Sequence, residues 1–364
     1  MCFNANEVVI CLANIASISV TNFRNLNSID CEFSPGFNLL TGENGAGKTS
    51  LLEAIYFLGN LKSFRSQTHH DLIAQNQACA VVRASVSAEN ASFFMAVERC
   101  KERVRLKVDL EDIQSAGAFV AHLPVLSLHA QSDDLILGGP EFRRKFLDRT
   151  AFYLFPEFAT IFSQFSRVLK QRNAALKNGQ STLAWDGLFI QYSTLLTEQR
   201  LAALDYIAAI LPGVLLSLSP YLLLQVEYHQ GFRAQGSLAD SLARHAARER
   251  ELGQTLSGPH RADLILSVNG FGVKSTASRG QIKIILLALY LSVAGVWRDV
   301  SNKNAILLFD DFISELDNRH ASLLWDFLSH FGHQAFFSAT DRNPLAHPFD
   351  AKFSLSAGKI TSML

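Results

Sequence analysis

The chain lacks net charge: Lys plus Arg and Asp plus Glu number 33 each over 364 residues. That balance removes the overall positive field that announces a nucleic-acid partner, so DNA binding would have to use local patches or an assembled groove. Cysteine is scarce and lies wholly in the first part of the chain, as Cys2, Cys11, Cys31, Cys79 and Cys100. Their odd number, with no C-x-x-C and no Cys/His spacing suited to a metal, reads as reduced thiols of a cytosolic protein. Long hydrophobic runs are also missing near the start. The run "VVICLANIASISV" is too short to span a bilayer and has no basic flank, so neither a signal peptide nor a membrane anchor is expected. Residues 1–13 read as a loose extension. Repeats, low-complexity tracts and sustained heptads are absent as well, which excludes a long coiled coil.

What remains is material for a folded core: 48 % of residues are hydrophobic, enough for one large domain or two ordinary ones. Residues 15–60 alternate strand and turn signals and end in "FNLLTGENGAGKTSLLEAIYFL", a strand, a Gly-rich loop and a helix. The runs "ACAVVRASVSA", "ASFFMAVER" and "RVRLKVDLE" read as further strands. From Pro140 the period changes. Phe158, Ile161, Phe162, Phe165, Val168 and Leu169 recur at helical spacing, and a second helical run is expected to stop at Pro212-Gly213. Strand signals return after "SGPHRADLILSV". The expected organisation is an α/β head lobe of residues 14–138 and 255–364 around an inserted helical lobe of residues 139–254.

"GENGAGKT", Gly42, Glu43, Asn44, Gly45, Ala46, Gly47, Lys48 and Thr49, fits G-x-x-x-x-G-K-[ST] in the strand-loop-helix context that the pattern needs. Glycines let backbone N–H groups wrap phosphates, Lys48 reaches the β- and γ-phosphates, and Thr49 offers a hydroxyl to Mg²⁺. The other half of such a site is an acid ending an apolar strand. "AILLFDD" supplies Asp310 for Mg²⁺ and Asp311 for the attacking water, although Asp311 also suits a strand-end turn. Ser278, Arg279, Gly280 and Gln281 precede a long apolar helix. Ser-x-x-Gln there reads as a capping box, and equally as an anion site at a helix N-terminus.

Cations gather in three places. Alternation in "KERVRLKVDL" puts Arg103, Arg105 and Lys107 on one strand face; "RVLKQR" (Arg167 to Arg172) and "RHAARER" (Arg244 to Arg250) put cations at helical spacing. Each singly reads as a solvated face. Either helical stripe would suit phosphates, with little sequence specificity, because no aromatics interleave with it. Arg143, Arg144 and Lys145 suit a lobe contact, His260 a turn or interlobe hydrogen bond, and Arg24 and Arg65 either the nucleotide or an ion pair.

The order of these parts resembles ABC-type ATPase heads, and within that class the RecF family. The resemblance rests on "NFRN" (Asn22 to Asn25), "GPEFRRKFLD" (Gly139 to Asp148), "SGPHRADL" (Ser257 to Leu264), and "SRGQIK" followed by "LLFDDFISELD". It implies an ABC-type head with a helical second lobe, ATP and Mg²⁺ as cofactors, and an ATP-dependent homodimer. It also implies weak, DNA-stimulated ATP hydrolysis in the bacterial cytoplasm, with no membrane partner. Its implied partners are gapped or junction DNA, RecR and, functionally, RecO and RecA, in recombinational repair, replication and SOS induction. By motif, Ser278, Gly280 and Gln281 become a signature that meets the γ-phosphate held by the opposite protomer. Asp311 becomes the water-polarising base and Asp317 a residue of the dimer seam. Asp311 stands where transporter heads carry glutamate, "FFSATD" has no switch histidine, so Ser338 or Thr340 takes its place, and Gln131 is the candidate Mg²⁺-sensing glutamine. A transporter nucleotide-binding subunit and an SMC-like tether are the alternatives; the large helical insertion argues against the first and the missing heptads against the second.

Overall fold

The period-2 and period-3.6 runs fold in chain order, in a computed structural model that describes residues 13–66, 69–88, 91–232, 236–340 and 348–363. Strands β1 (Asn14–Phe23), β2 (Leu26–Glu32) and β3 (Phe37–Thr41) lead into helix α1 (Lys48–Asn60). There follow β4 (Cys79–Ala88), β5 (Ala91–Cys100), β6 (Val104–Val108), β7 (Glu111–Asp112), α2 (Ala116–Val120) and β8 (Val125–Leu128). The middle of the chain holds α3 (Asp134–Leu137), α4 (Pro140–Leu154), α5 (Phe158–Lys177), α6 (Leu183–Leu218), β9 (Leu224–His229), α7 (Leu238–Leu252), β10 (Asp263–Val268), β11 (Phe271–Gly272) and α8 (Val273–Thr276). It closes with α9 (Arg279–Ser301), β12 (Ile306–Asp310), α10 (Asn318–Phe331), β13 (Ala335–Ala339), β14 (Ala351–Ser356) and β15 (Lys359–Met363).

Two compact units result: Met1–Ser132 with Ser217–Pro220 and Leu286–Leu364, and Asp133–Leu216 with Tyr221–Ile285. The expected boundary after residue 254 does not coincide with this division, because residues 255–285 pack with the helical unit, and the Ser278 tetrad goes with them.

The first unit contains two six-stranded sheets, one ordered β2-β1-β4-β5-β6-β7 and antiparallel, the other β15-β14-β3-β13-β12-β8. In the second, β14, β3, β13, β12 and β8 run parallel and only β15 is antiparallel. This is the mixed α/β head expected from the strand and P-loop signals. Strand β12 is buried at Ile306 to Phe309, as a strand covered on both faces must be. Helix α1 sits so close to β8 that a Cβ on Gly59 would lie 2.3 Å from Val125 Cγ2.

The cysteines depart from expectation. Cys79 and Cys100 occupy directly opposed positions on β4 and β5, with Cα atoms 4.1 Å apart, and form a disulfide. Register, which spacing along the chain does not reveal, brings them together. Cys31 is free and buried, and burial pushes its thiol up to about 12, so it is an inert thiol. Cys2 and Cys11 lie outside the described residues. The strand face also differs in part: Arg103 precedes β6, and Val104 is exposed while Leu106 is buried.

In the second unit α6 runs through Pro212-Gly213 to Leu218 instead of stopping. Pro212, Gly213 and Ala208, whose carbonyl loses its helical partner, all lie on the exposed side, where water can satisfy it. Helices α6 and α9 have the length and hydropathy of membrane spans; 83 % of the most apolar stretch of α9 is buried in the protein, as in a core helix.

The unit is knit by buried ion pairs between stretches far apart in sequence. Arg143 donates to both oxygens of Asp263 (2.7 and 3.0 Å) and Arg144 to the carbonyl of Ala262 (2.7 Å). Arg200 joins Asp148 (2.7 and 3.0 Å) to the carbonyl of Pro259 (2.7 Å). The two stretches "GPEFRRKFLD" and "SGPHRADL" are therefore each other's partners. Gly258, at φ 130°, makes the turn and would place a Cβ 2.9 Å from the Phe189 ring. His260 packs beside Phe165 and Phe189, bonds to the Thr255 carbonyl (3.0 Å), and is lowered by burial to about 4.

A lowered histidine stabilises the fold above its ordinary value near 6.5, and this contribution is lost as pH falls toward 4. Urea midpoints should therefore decline over that window, and His260→Leu should flatten the decline. An unchanged slope in the variant would remove His260 from the account.

Candidate nucleotide site and signature tetrad

The carboxyl ends of β3 and β12 bring the two halves of a nucleotide site together in the first unit. Gly42 turns the chain at φ 149°, where a Cβ would lie 2.4 Å from the carbonyl oxygen of Leu355. Gly47, at φ 111°, would drive a Cβ to 2.7 Å from Leu26 Cδ2. Only glycine meets both the left-handed backbone and the crowding. Lys48 is 5 % exposed and its ammonium donates to the carbonyls of Gly42 (2.7 Å) and Glu43 (3.0 Å), lying inside the loop. A cavity of about 420 Å³ opens here, lined by the loop together with Arg24, Asn25, Arg65 and Asp311.

Thr49 Oγ1 donates to Asp310 Oδ1 (2.9 Å). Ser338 Oγ donates to the same oxygen (2.7 Å) and accepts from the backbone N–H of Asp311 (2.9 Å). Register explains this: β12 pairs in parallel with β13 so that Asp310 stands beside Ser338. Of the two residues offered in place of a switch histidine, Ser338 makes this contact; Thr340 is exposed just past the strand. Burial raises the carboxyl of Asp310 above its ordinary range, against the pull of Ser338 and Thr49; burial and the neighbouring Asp310 raise Asp311. Asp311 adopts φ 51°, in the left-handed region.

Mg²⁺ is commonly held by one or two protein oxygens plus phosphate oxygens and water. The Thr49 hydroxyl and the Asp310 carboxylate fit that sparse requirement, while no cluster of three His, Cys, Asp or Glu suited to a metal occurs among the described residues.

Behind the loop, Asn25 Nδ2 donates to the Gly45 carbonyl (2.9 Å) and its Oδ1 accepts from Ser50 (2.6 Å), tying "NFRN" to the phosphate loop. Arg24, at φ 55°, makes a bidentate pair with the fully buried Glu53 (2.7 and 2.9 Å), and Arg65 lies 3.7 Å from it. Arg24 is thus an ion-pair residue on the cavity wall, and Arg65 is half exposed there. Gln131 lies on the turn after β8, exposed and bonded to His129 Nδ1 (3.0 Å). Asp317 N-caps α10, accepting from the His320 N–H (2.9 Å) and pairing with its ring (2.7 Å). Those contacts hold its carboxyl below the usual range.

The tetrad in the second unit is a reciprocal capping box. The Ser278 N–H donates to Gln281 Oε1 (2.9 Å), and the Gln281 N–H donates to Ser278 Oγ (3.3 Å). Gly280 is exposed and a Cβ there would meet nothing within 4 Å. Two residues on, Lys283 is 5 % exposed and pairs with Asp133 (2.9 Å). This anchor under the tetrad escaped sequence reading, as did the contacts of Asn25 with the loop and of Ser338 with Asp310; only the capping pattern and the apolar run hinted at the anchor.

Residues 14–357 match the family described as RecF/RecN/SMC N terminal domain. A DNA replication and repair protein RecF of Shewanella denitrificans is 33 % identical over 356 residues, covering 96 % of this chain and 99 % of the relative. The chain belongs to the RecF family. A Pasteurella multocida protein of the same description is 33 % identical over 91 % of this chain and 94 % of its own length. A solved structure described as the recombination mediator protein RecF-ATPrS in RecFOR pathway superposes with a TM-score of 0.87 at 25 % identity, covering 96 % of this chain and 97 % of that one. An Smc head domain from Pyrococcus furiosus, with a TM-score of 0.60 and 14 % identity over 97 % of this chain and 96 % of its own, shares the fold.

Proposed function

We propose that this chain is an ATP-dependent DNA-binding protein of bacterial replication and recombinational repair, working in the cytoplasm as an ATP-driven dimer on gapped or junction DNA. The observation that carries the reading is the chain of contacts Thr49, Asp310, Ser338 and Asp311 facing a phosphate loop that holds Lys48 inside it. The loop amides and Lys48 bind the β- and γ-phosphates, and Asn25 keeps the loop in shape. Mg²⁺, held by Thr49 and Asp310, neutralises phosphate charge when bound. Asp311 orients and polarises the attacking water, its backbone fixed through Ser338. Asp311, raised by burial and by the neighbouring Asp310, has a shorter reach than the glutamate of transporter heads, which fits slow hydrolysis used for release.

The exposed Ser278, Gly280 and Gln281 are available to the γ-phosphate of ATP held by a second copy, with Asp317 at the seam. Partners in this reading are RecR and, for RecA loading and SOS induction, RecO and RecA. The test is anisotropy of a labelled gapped duplex titrated with protein, with and without Mg-ATP, for the wild type and Ser278→Arg. ATP-dependent binding that Ser278→Arg loses, with ATP binding by the monomer retained, supports the reading. Binding indifferent to both leaves the tetrad as a helix cap alone.

A further inference from the structure

The two cationic helical stripes, each unremarkable alone, form one surface. Within the second unit α5 and α7 lie side by side and run in the same direction: Arg172 pairs with Glu249 (2.7 Å), and Lys177 packs against Gly253. The Asn173 side chain accepts from both the N–H (2.8 Å) and the hydroxyl (2.7 Å) of Thr255, tying the segment that follows α7 back onto α5. Arg172 and Glu249 are 3 % and 0 % exposed at their side chains, so the joint between the helices is a buried ion pair and the remaining cations turn outward.

Arg167, Lys170 and Lys177 on α5 and Arg244, Arg248 and Arg250 on α7 are all exposed, and none joins an ion pair among the described residues. Helix α5 contains no acidic residue, and of the acids on α7 Glu249 is committed to Arg172 and Asp240 to the Ser237 cap, leaving Glu251. In a chain of zero net charge, this concentration is local. At 1.5 Å per residue, Arg167 to Lys177 spans about 15 Å, the length of several successive phosphates on a duplex. The residues between the cations are short or polar, Gln171 and Ala174 on α5 and Ala243 and Ala247 on α7, all exposed. The exposed bulky apolar side chains of these helices, Phe162 and Leu252, lie before Arg167 and after Arg250, so none stands between the cations to stack on bases or enter a bilayer, and the chemistry fits a polyanionic backbone read without regard to sequence.

We propose that the joined face of α5 and α7 is the surface on which this protein tracks the DNA phosphate backbone. The inference rests on the DNA-binding reading above and locates it. Its test is duplex affinity across a salt series for the wild type and for Lys170→Ala/Lys177→Ala/Arg244→Ala/Arg248→Ala, with Mg-ATP binding and thermal midpoint as controls. Each lost phosphate contact removes about 0.9 from the slope of log K against log salt, so the fourfold variant should lose roughly 2 to 4 units of slope. Affinity at moderate salt should fall on the order of 10- to 100-fold. Charge reversal, Lys170→Glu with Arg248→Glu, should weaken binding further. Unchanged affinity and slope in the variants, with a wild type that binds, overturns this surface and leaves the DNA-binding reading standing. A wild type that fails to bind any duplex overturns both, as does binding of phosphatidylserine vesicles in place of DNA.

Discussion

Lys48→Ala should weaken Mg-ATP binding by about 10- to 100-fold, measured by calorimetry on the monomer. The ammonium is almost fully enclosed and is placed by two loop carbonyls, so its charge is delivered to a fixed point inside the loop. A charge-assisted contact of that kind contributes about 1.5–3 kcal/mol, and tenfold in affinity is about 1.4 kcal/mol. Loss of the side chain also leaves the Gly42 and Glu43 carbonyls without the donor they share. DNA binding that needs ATP should disappear with it. Tight ATP binding by the variant would show that the loop amides alone hold the phosphates and that the lysine acts elsewhere.

Arg200→Leu should destabilise the second unit by about 3–5 kcal/mol, read from thermal or urea unfolding. Arg200 is 2 % exposed and serves three acceptors at once: both oxygens of Asp148 and the Pro259 carbonyl. Leucine keeps much of the volume and none of the donors. Asp148, which burial already pushes up against the pull of Arg200, would be left as an uncompensated buried carboxylate and would take up a proton. The variant should accordingly recover part of its stability as pH falls, because a raised carboxyl is least costly when protonated. A double variant, Arg200→Leu with Asp148→Leu, should recover more. If the single variant unfolds like the wild type, the ion pair is not what joins the two stretches.

The nucleotide half-site was legible because its parts are local. A strand, three glycine-bearing turn positions, a lysine and a helix must follow one another to cradle phosphate, and "GENGAGKT" does so within one loop. The tandem acids were legible by the same logic at the end of "AILLFDD". Illegible were contacts made by register or by folding at a distance. Ser338 meets Asp310 only because β12 and β13 pair in parallel. The same holds for the Cys79–Cys100 disulfide, set by the pairing of β4 with β5, and for Arg143 with Asp263, 120 residues apart. Pro212 misled in the opposite direction: its local rule says stop, but tertiary burial of Leu211, Val214 and Leu215 on the other face carries α6 past it. Each cationic stripe read alone as solvated, since the helix that doubles its charge density arrives from far along the chain.

The backbone at Asp311 also limits what this site can become. Left-handed φ is tolerated by aspartate and asparagine far better than by longer side chains. Glutamate, the residue that transporter heads carry, would have to be accommodated on a backbone that disfavours it and from an N–H already tied to Ser338. On the function proposed above, one codon change at Asp311 should therefore not by itself speed hydrolysis. The turn after β12 would have to be rebuilt first, so the rate proposed for this site would depend on main-chain geometry as well as on the choice of acid.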